Sequence, residues 1–276
     1  MTTPTTRTGS ATAATRGRAG NPRAWALLVP AWAAVALLVV PLVALVLQVD
    51  WAGLPEDLAS PLAWQAIRLS ALTTSTTLVV VLLLGTPLAW MLARGTHPAI
   101  PWVRALVTVP LVLPPVVGGV ALLAAYGRTG VLGGPLDDWL GITLPFTTVA
   151  VVLAEVFVAM PFYVISVEGA MRGLDRRYDG IAATLGASPL RTFLTVVVPM
   201  VGPGIAAGAA LAWARALGEF GATITFAGNF PGRTQTVPLA VFTALEQDPD
   251  AAVALSVLML AVCVLVLAVL RRRWLT

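Results

Sequence analysis

Long apolar stretches alternate with short polar segments along this chain of 276 residues. Six stretches are long enough to form apolar helices, at residues 24–47, 67–93, 103–126, 144–167, 200–226 and 251–270. Because roughly 20 apolar residues in a helix cross a bilayer core about 30 Å thick, each stretch predicts one membrane span. The pattern predicts an all-α polytopic membrane protein with six transmembrane helices.

Composition supports a membrane protein and excludes several other classes. Hydrophobic residues make up 58% of the chain and charged residues 11%, which is not the balance of a soluble domain. The basic residues lie in loops between apolar stretches and form no basic stripe, so nucleic-acid binding is not expected. The single cysteine, Cys263, lies in the last stretch, which excludes a disulfide framework and a cysteine metal cluster.

The distribution of charge predicts the orientation. Of the 17 basic residues, all arginine, 13 precede the first span, follow the last, or lie at the second and fourth loops. Acidic residues collect in the other loops. Positively charged loops stay in the cytoplasm, so both termini are predicted to be cytoplasmic. Residues 1–23 are too polar to fold alone and are expected to form a disordered cytoplasmic tail, and residues 24–276 a transmembrane domain.

Prolines interrupt several of the spans: Pro87 in the second, Pro110, Pro114 and Pro115 in the third, and Pro161 in the fourth. The backbone carbonyls that they free are tolerated in a bilayer only beside other protein groups or a water-filled cavity. A path that opens and closes is one reason for such breaks. Proline is also common in membrane helices, which is the alternative explanation.

The fourth loop, about residues 170–199, has the pattern of two short amphipathic helices with a sharp break between them. Gly186 is suited to end the first helix, Ser188 to cap the second and Pro189 to occupy its first position. Small residues such as Ala182 and Ala183 allow a short helix to approach another protein closely. We name residues 170–199 the coupling segment.

The coupling segment resembles the EAA motif of ABC importer permeases, which reads E-A-A, three residues, G, nine residues, I-x-L-P. Gly186 and Pro199 match this motif, and Ala182 falls on its second alanine. Gly180 stands where the motif has glutamate. Asp179 is adjacent to that position, but one residue along a helix is about 100° around it, so Asp179 does not replace the glutamate geometrically.

Two further stretches resemble the molybdate branch of the oxyanion importer permeases, residues 111–119 and residues 214–229 with 234–239. The resemblance implies the type I ABC importer permease fold, with two copies of the chain forming one path through the cell membrane of a prokaryote. It also implies a cytoplasmic ATPase dimer that uses ATP and Mg²⁺, and an extracytoplasmic molybdate-binding protein. No cofactor is expected on this chain. The resemblance also implies a set of residues for ATPase coupling, namely Arg172, Asp179, Gly180, Ala182, Ala183, Gly186, Ala187, Ser188, Arg191 and Pro199.

Ionisable residues within the apolar stretches are candidates for the translocation path, because charge is costly in lipid. Arg215 and Glu219 are one helical turn apart in the fifth span and are able to pair. Either they line or gate the path, with Arg215 attracting an oxyanion, or they only stabilise the bundle. Threonine hydroxyls suit an anion path that must not bind too tightly, although small polar residues also pack helices together. The candidate path or gate residues are Thr73, Thr74, Thr77, Pro114, Pro115, Arg215, Glu219 and Phe220.

The chain carries no phosphate-binding loop of the type G-x-x-x-x-G-K-[ST], so it is not itself an ATPase, and no catalytic triad or metal-ligand cluster is evident. We therefore expect a non-catalytic permease subunit that imports molybdate, and tungstate as a related cargo. Three alternatives stay open: a sulfate or thiosulfate permease of the same class, a transporter driven by an ion gradient, and a membrane scaffold that transports nothing.

Overall fold

A computed structural model describes residues 22–274, with side chains described for residues 27–268. Residues 1–21, which hold nearly all of the predicted disordered tail, lie outside the described residues. Every regular element in the described part of the chain is helical, as the apolar pattern predicts. The chain divides into two units, residues 1–48 and residues 49–276.

The first unit contains one described helix, α1, Pro22–Leu47. It continues through Pro30 and Pro41 and is apolar enough to cross a membrane. Its bounds agree with the predicted first span.

The described part of the second unit, residues 49–274, contains thirteen α-helices and one π-helical turn. The helices are α2 (Leu54–Ala59), α3 (Pro61–Arg94), α4 (Ile100–Val112), α5 (Pro115–Tyr126), α6 (Gly133–Leu140), α7 (Thr148–Gly173), α8 (Arg177–Thr184), α9 (Pro189–Thr192), α10 (Val198–Met200), α11 (Gly202–Leu217), α12 (Gly221–Phe226), α13 (Val237–Gln247) and α14 (Pro249–Trp274). The π-helical turn, Phe193–Val197, lies between α9 and α10.

Within residues 22–274, four helices are long and apolar enough to span a membrane, namely α1, α3, α7 and α14. The predicted third span is divided between α4 and α5, which meet at Leu113 and Pro114. This break lies where the paired prolines indicated one. The helical run Pro189–Met200 meets α11 at 76°, and the two together form a fifth candidate span. The count of six spans stays a prediction.

The core of the second unit lies where α3 packs against α7 and α11. Tyr163 of α7 is completely buried there, and its ring rests against Gly85 of α3, where an added Cβ atom would lie 2.6 Å from the ring. The hydroxyl of Thr86 donates to the carbonyl of Leu82, so the phenol of Tyr163 donates to Thr86 across 2.6 Å. A close contact and a partly buried hydrogen bond therefore hold α3 and α7 together.

The prediction of one continuous helix over residues 200–226 is wrong. Helix α11 ends at Leu217 and α12 begins at Gly221, and Phe220 between them has a φ of −131°, outside the helical range. Close packing explains why the chain turns here. A Cβ atom on Gly221 would lie 2.7 Å from the side chain of Pro115, and one on Gly119 would lie 2.6 Å from the side chain of Thr225. Helix α12 thus packs directly against α5.

Candidate functional site

The coupling segment has the predicted arrangement of helix, break and helix. Helix α8 ends in a Schellman motif, in which the N–H of Ala187 donates to the carbonyl of Ala182 and the N–H of Gly186 donates to that of Ala183, each across 3.0 Å. Gly186 has a φ of +78°, the left-handed conformation that glycine adopts without strain. The prediction that Gly186 ends this helix is confirmed.

The second half of the segment begins as predicted and then departs from a regular helix. The hydroxyl of Ser188 accepts the N–H of Arg191, and Pro189 occupies the first turn of α9. The π-helical turn then follows, in which the N–H of Val198 donates to the carbonyl of Phe193. Pro199 has no N–H to offer the preceding turn, which favours such an irregular turn at this place.

Most of the residues predicted for coupling lie on the surface of the described chain. Ala182 is the exception, because it is 7% exposed and faces the protein interior. Beside it lies a groove of about 310 Å³ between α8 and the helical run that follows. Two large apolar side chains at this groove, Ile181 and Leu185, are 56% and 82% exposed. The segment therefore presents an apolar surface with one cationic side chain, Arg191, beside it.

Asp179 points toward the transmembrane helices. Its carboxylate lies 3.4 Å from Nε of Arg94, the last residue of α3. Nη2 of Arg94 also donates to the carbonyl of Leu174, the residue that ends α7, across 3.2 Å. Arg94 was not among the residues predicted from the sequence. Its position at the end of a span was the only signal, and no pattern indicated its partner.

A second ionic cluster lies at the same ends of α3 and α7. Glu168 is 5% exposed, and its Oε1 lies 2.9 Å from Nη2 of Arg104 and 2.9 Å from Nη2 of Arg172. Arg104 also donates to the carbonyl of Leu92, in the last turn of α3, across 3.0 Å. Arg172, which was predicted to face an ATPase, thus shares a carboxylate with Arg104 while half of its side chain stays exposed.

The threonines predicted to line a path surround a buried carboxylate. Glu155 of α7 is 1% exposed, and its two oxygens accept the hydroxyls of Thr73 and Thr77 of α3, each across 2.8 Å. The hydroxyl of Thr74 donates to the carbonyl of Ser70 one turn earlier. These bonds join α3 to α7 within one chain. A role of these threonines in the path stays a prediction.

Arg215 and Glu219 form the predicted ion pair, with 2.7 Å between Nη2 and Oε2. Glu219 lies just after the end of α11, and its other oxygen accepts the N–H of Ala222 in α12 across 2.8 Å. The carboxylate side chain is 1% exposed and the guanidinium side chain 26% exposed. The surface therefore carries the cation while the compensating anion is buried.

Phe220, Pro114 and Pro115 belong to the same region. Phe220 packs against Phe242 of α13, with 5.3 Å between the ring centres. Pro115 contacts the position of Gly221, directly after Phe220. Pro114 and Pro115 are both exposed on the single chain. The break between α4 and α5 and the break between α11 and α12 thus lie side by side. Thr73 and Thr77 form a different cluster around Glu155.

Among the residues whose side chains are described, no group of histidine, cysteine, aspartate and glutamate is placed to hold a metal ion. The polar groups described above are ion pairs and helix caps. Of these groups, the partly exposed guanidinium of Arg215 is able to attract an anion.

Comparisons with known proteins agree with this arrangement. Residues 85–275 match the family model described as "Binding-protein-dependent transport system inner membrane component". The chain is 46% identical over 242 residues to the molybdenum transport system permease protein ModB of Mycobacterium bovis, covering 88% of this chain and 91% of that protein. It is 39% identical to the ModB protein of Escherichia coli K12, covering 77% of this chain and 93% of that protein.

The fold resembles a chain of a bacterial ABC transporter involved in the import of the acidic polysaccharide alginate, with a TM-score of 0.68 and 15% identity over 91% of this chain and 95% of that one. This likeness supports the type I fold that the motifs predicted. The family match over residues 85–275 includes the coupling segment and the Arg215–Glu219 pair. The chain belongs to the family of binding-protein-dependent transport system inner membrane components, the non-catalytic, multi-pass permease subunits of prokaryotic ABC importers.

Proposed function

We propose that this chain carries molybdate, and the related tungstate ion, into the cytoplasm. Two copies form the path, an ATPase dimer binds their coupling segments, and an extracytoplasmic molybdate-binding protein delivers the cargo. The cargo is proposed because two relatives at 46% and 39% identity are named molybdenum transport permeases. The observation that supports docking of an ATPase is the exposed helix α8, which follows α7 and ends in a Schellman motif.

The surface of the coupling segment suits a protein partner more than lipid. Leu185 and Ile181 are exposed beside the groove, and Arg191 borders the same groove. A partner that inserts an apolar side chain and places a carboxylate near Arg191 would bury this surface and pair its charge. The helix is already formed and ends in its Schellman motif, so it does not need to become ordered on binding.

The Arg215–Glu219 pair suits the passage of a doubly charged oxyanion. Because Glu219 is buried and Arg215 is partly exposed, an approaching anion meets the guanidinium first. The carboxylate behind it compensates the positive charge, so the anion is attracted without being trapped. A transport path needs such weak binding, since the cargo must leave as well as enter.

The cellular test is molybdenum accumulation at limiting molybdate. We expect that deleting the gene for this chain lowers the molybdenum content, measured by elemental mass spectrometry, and that a plasmid copy restores it. A tenfold excess of tungstate should compete, and the same excess of sulfate should not. Unchanged molybdenum content in the deletion strain would contradict the proposal. Competition by sulfate alone would assign the cargo to sulfate or thiosulfate.

A further inference from the structure

Helix α8 is connected to α7 by only the three residues between Gly173 and Arg177, and Ala182 is its only buried residue. A short helix with so little buried surface is free to pivot about its connection unless another contact holds it. Helix α8 also packs against α9, and the contact that joins it to α3 and to the end of α7 is made by Arg94. Its side chain is 10% exposed and reaches both sides of the connection.

On one side, Nη2 of Arg94 donates to the carbonyl of Leu174, which lies 80 residues later in the sequence, across 3.2 Å. On the other side, Nε of Arg94 lies 3.4 Å from the carboxylate of Asp179, in the first turn of α8. A single side chain thus makes a hydrogen bond on one side of the connection and an ion pair on the other.

The end of α3 that carries Arg94 is itself held to α7. Arg104 donates to the carbonyl of Leu92 in that last turn of α3 and also to Glu168 of α7. Movement of α8 relative to α3 would therefore have to separate Arg94 from Asp179, because the neighbouring helix ends are fixed to one another. We name Arg94 and Asp179 the coupling link.

We propose that the coupling link transmits movement of α8 to the transmembrane helices during transport, which makes Arg94 and Asp179 positioning residues. This inference rests on the proposed docking of an ATPase to the coupling segment. A force on the exposed face of α8 moves α3 and α7 together when the link is intact. Without the link the same force bends the connection at residues 174–176, and ATP is hydrolysed with less cargo moved.

In this proposal Asp179 does not contact the ATPase. It pairs with Arg94 of the same chain. Its carboxylate is directed toward Arg94, and 36% of its side chain stays exposed. The residue at the glutamate position of the motif, Gly180, has no side chain for such a contact and no atom within 4 Å of a Cβ placed there. The carboxylate of Asp179 thus pairs with a residue of the same chain.

The functional test uses the complete complex with ATPase and binding protein in proteoliposomes, and measures molybdate taken up per ATP hydrolysed. We expect Asp179→Asn to lower this ratio about twofold to fivefold, because a partly exposed ion pair contributes only modestly. Asp179→Glu, which keeps the carboxylate, should restore most of it. Asp175→Asn is the matched control, because the ion pair and the hydrogen bond described for Asp175 both go to Arg177, and asparagine keeps the oxygen that accepts the Arg177 N–H. Normal coupling in Asp179→Asn, or equal loss in Asp175→Asn, would overturn the proposal.

A second measurement does not depend on the cargo. Cys263 is the only cysteine in the chain, so its replacement by serine allows spin labels at Thr184→Cys on α8 and His97→Cys beyond the end of α3. We expect the distribution of distances between the labels to broaden in Asp179→Asn and to stay narrow in Asp175→Asn. Equal distributions would contradict the link even if a variant assembles poorly. A wild-type complex that takes up no molybdate would instead contradict the proposed cargo and leave the label distances as the test of the link.

Discussion

Nη2 of Arg215 lies 2.7 Å from Oε2 of Glu219, across the break between α11 and α12. The other carboxylate oxygen accepts the N–H of Ala222, the second residue of α12. One buried side chain thus compensates a cation and caps a helix. Stability and transport are therefore expected to respond differently when the charge and the hydrogen-bond acceptor are removed separately.

We expect Glu219→Ala to lower the free energy of unfolding by about 2–3 kcal/mol, because it leaves both Arg215 and the Ala222 N–H without a partner in a buried site. Glu219→Gln keeps an oxygen that accepts this N–H and should cost less stability. It should still slow transport, because the cation is then uncompensated and holds the anion. Thermal unfolding of the detergent-purified protein, together with uptake rates, checks both points. Equal stability losses in the two variants would contradict the capping role.

The buried Glu155 gives a second prediction. Replacing Thr73 and Thr77 together by valine leaves the carboxylate without its two donors and should lower the free energy of unfolding by about 2–4 kcal/mol. Thr76→Val is the matched control, because Thr76 is exposed and its hydroxyl bonds only to its own helix at Leu72. Chemical denaturation in detergent measures the difference. A double variant as stable as Thr76→Val would show that these hydrogen bonds do not hold α3 to α7.

The left-handed glycine of the coupling segment gives a third prediction. Gly186→Ala introduces about 1–2 kcal/mol of backbone strain and should reduce ATP-driven uptake by loosening the end of α8. Gly141→Ala is the matched control, since Gly141 has a φ of +64° in open space, before α7 begins. Asparagine tolerates this conformation, so Gly186→Asn should recover uptake. Equal loss of uptake in both alanine variants would assign the effect to general instability.

The raised pKa of Asp57 leads to a fourth prediction, that the stability of the protein depends on pH. Burial, together with the nearby carboxylates of Asp248, Asp250, Asp50 and Glu56, raises the pKa of Asp57 above its ordinary value. A folded-state pKa that is raised means that the folded protein binds this proton more tightly than the unfolded chain. Stability from this group is therefore gained as pH falls through the raised pKa and lost as pH rises through it.

We accordingly expect Asp57→Asn to be more stable than the wild type at neutral pH and equal to it at low pH. The difference should shrink as salt is added, because exposed charges are screened. Asp138→Asn, which removes an exposed acid from α6, controls for the loss of a charge. Unfolding temperatures across pH at two ionic strengths test this. A wild type that is more stable than Asp57→Asn at neutral pH would contradict it.

Local sequence signals predicted the coupling segment well. Gly186, Ser188 and Pro189 each occupy a position that only a few residue types favour, so their roles as cap and first-turn residues follow from the sequence. The break between α4 and α5 was predicted for the same reason, because Pro114 and Pro115 are adjacent. The long apolar stretches likewise predicted α3, α7 and α14, whose length the bilayer requires.

Contacts between distant parts of the chain were not predictable in this way. Arg94 and Leu174 are 80 residues apart, and nothing local to either indicates the other. Helix α12 ends a stretch that is mostly apolar and carries no strong signal for a break, and the break before it depends on close packing of Gly221 against Pro115. Helix α13 lies in a segment predicted as a loop, where Ser70 of α3 accepts the N–H of Val237 at the start of the helix. These features depend on tertiary contacts that a single sequence does not display.

Molybdate uptake by proteoliposomes that contain this chain, its ATPase and its binding protein tests the central claim most directly. We predict uptake that requires ATP on the side of the ATPase and continues when ionophores remove all ion gradients. Uptake that proceeds without ATP and stops when the gradients are removed would contradict the claim, as would ATP-driven uptake of sulfate with none of molybdate.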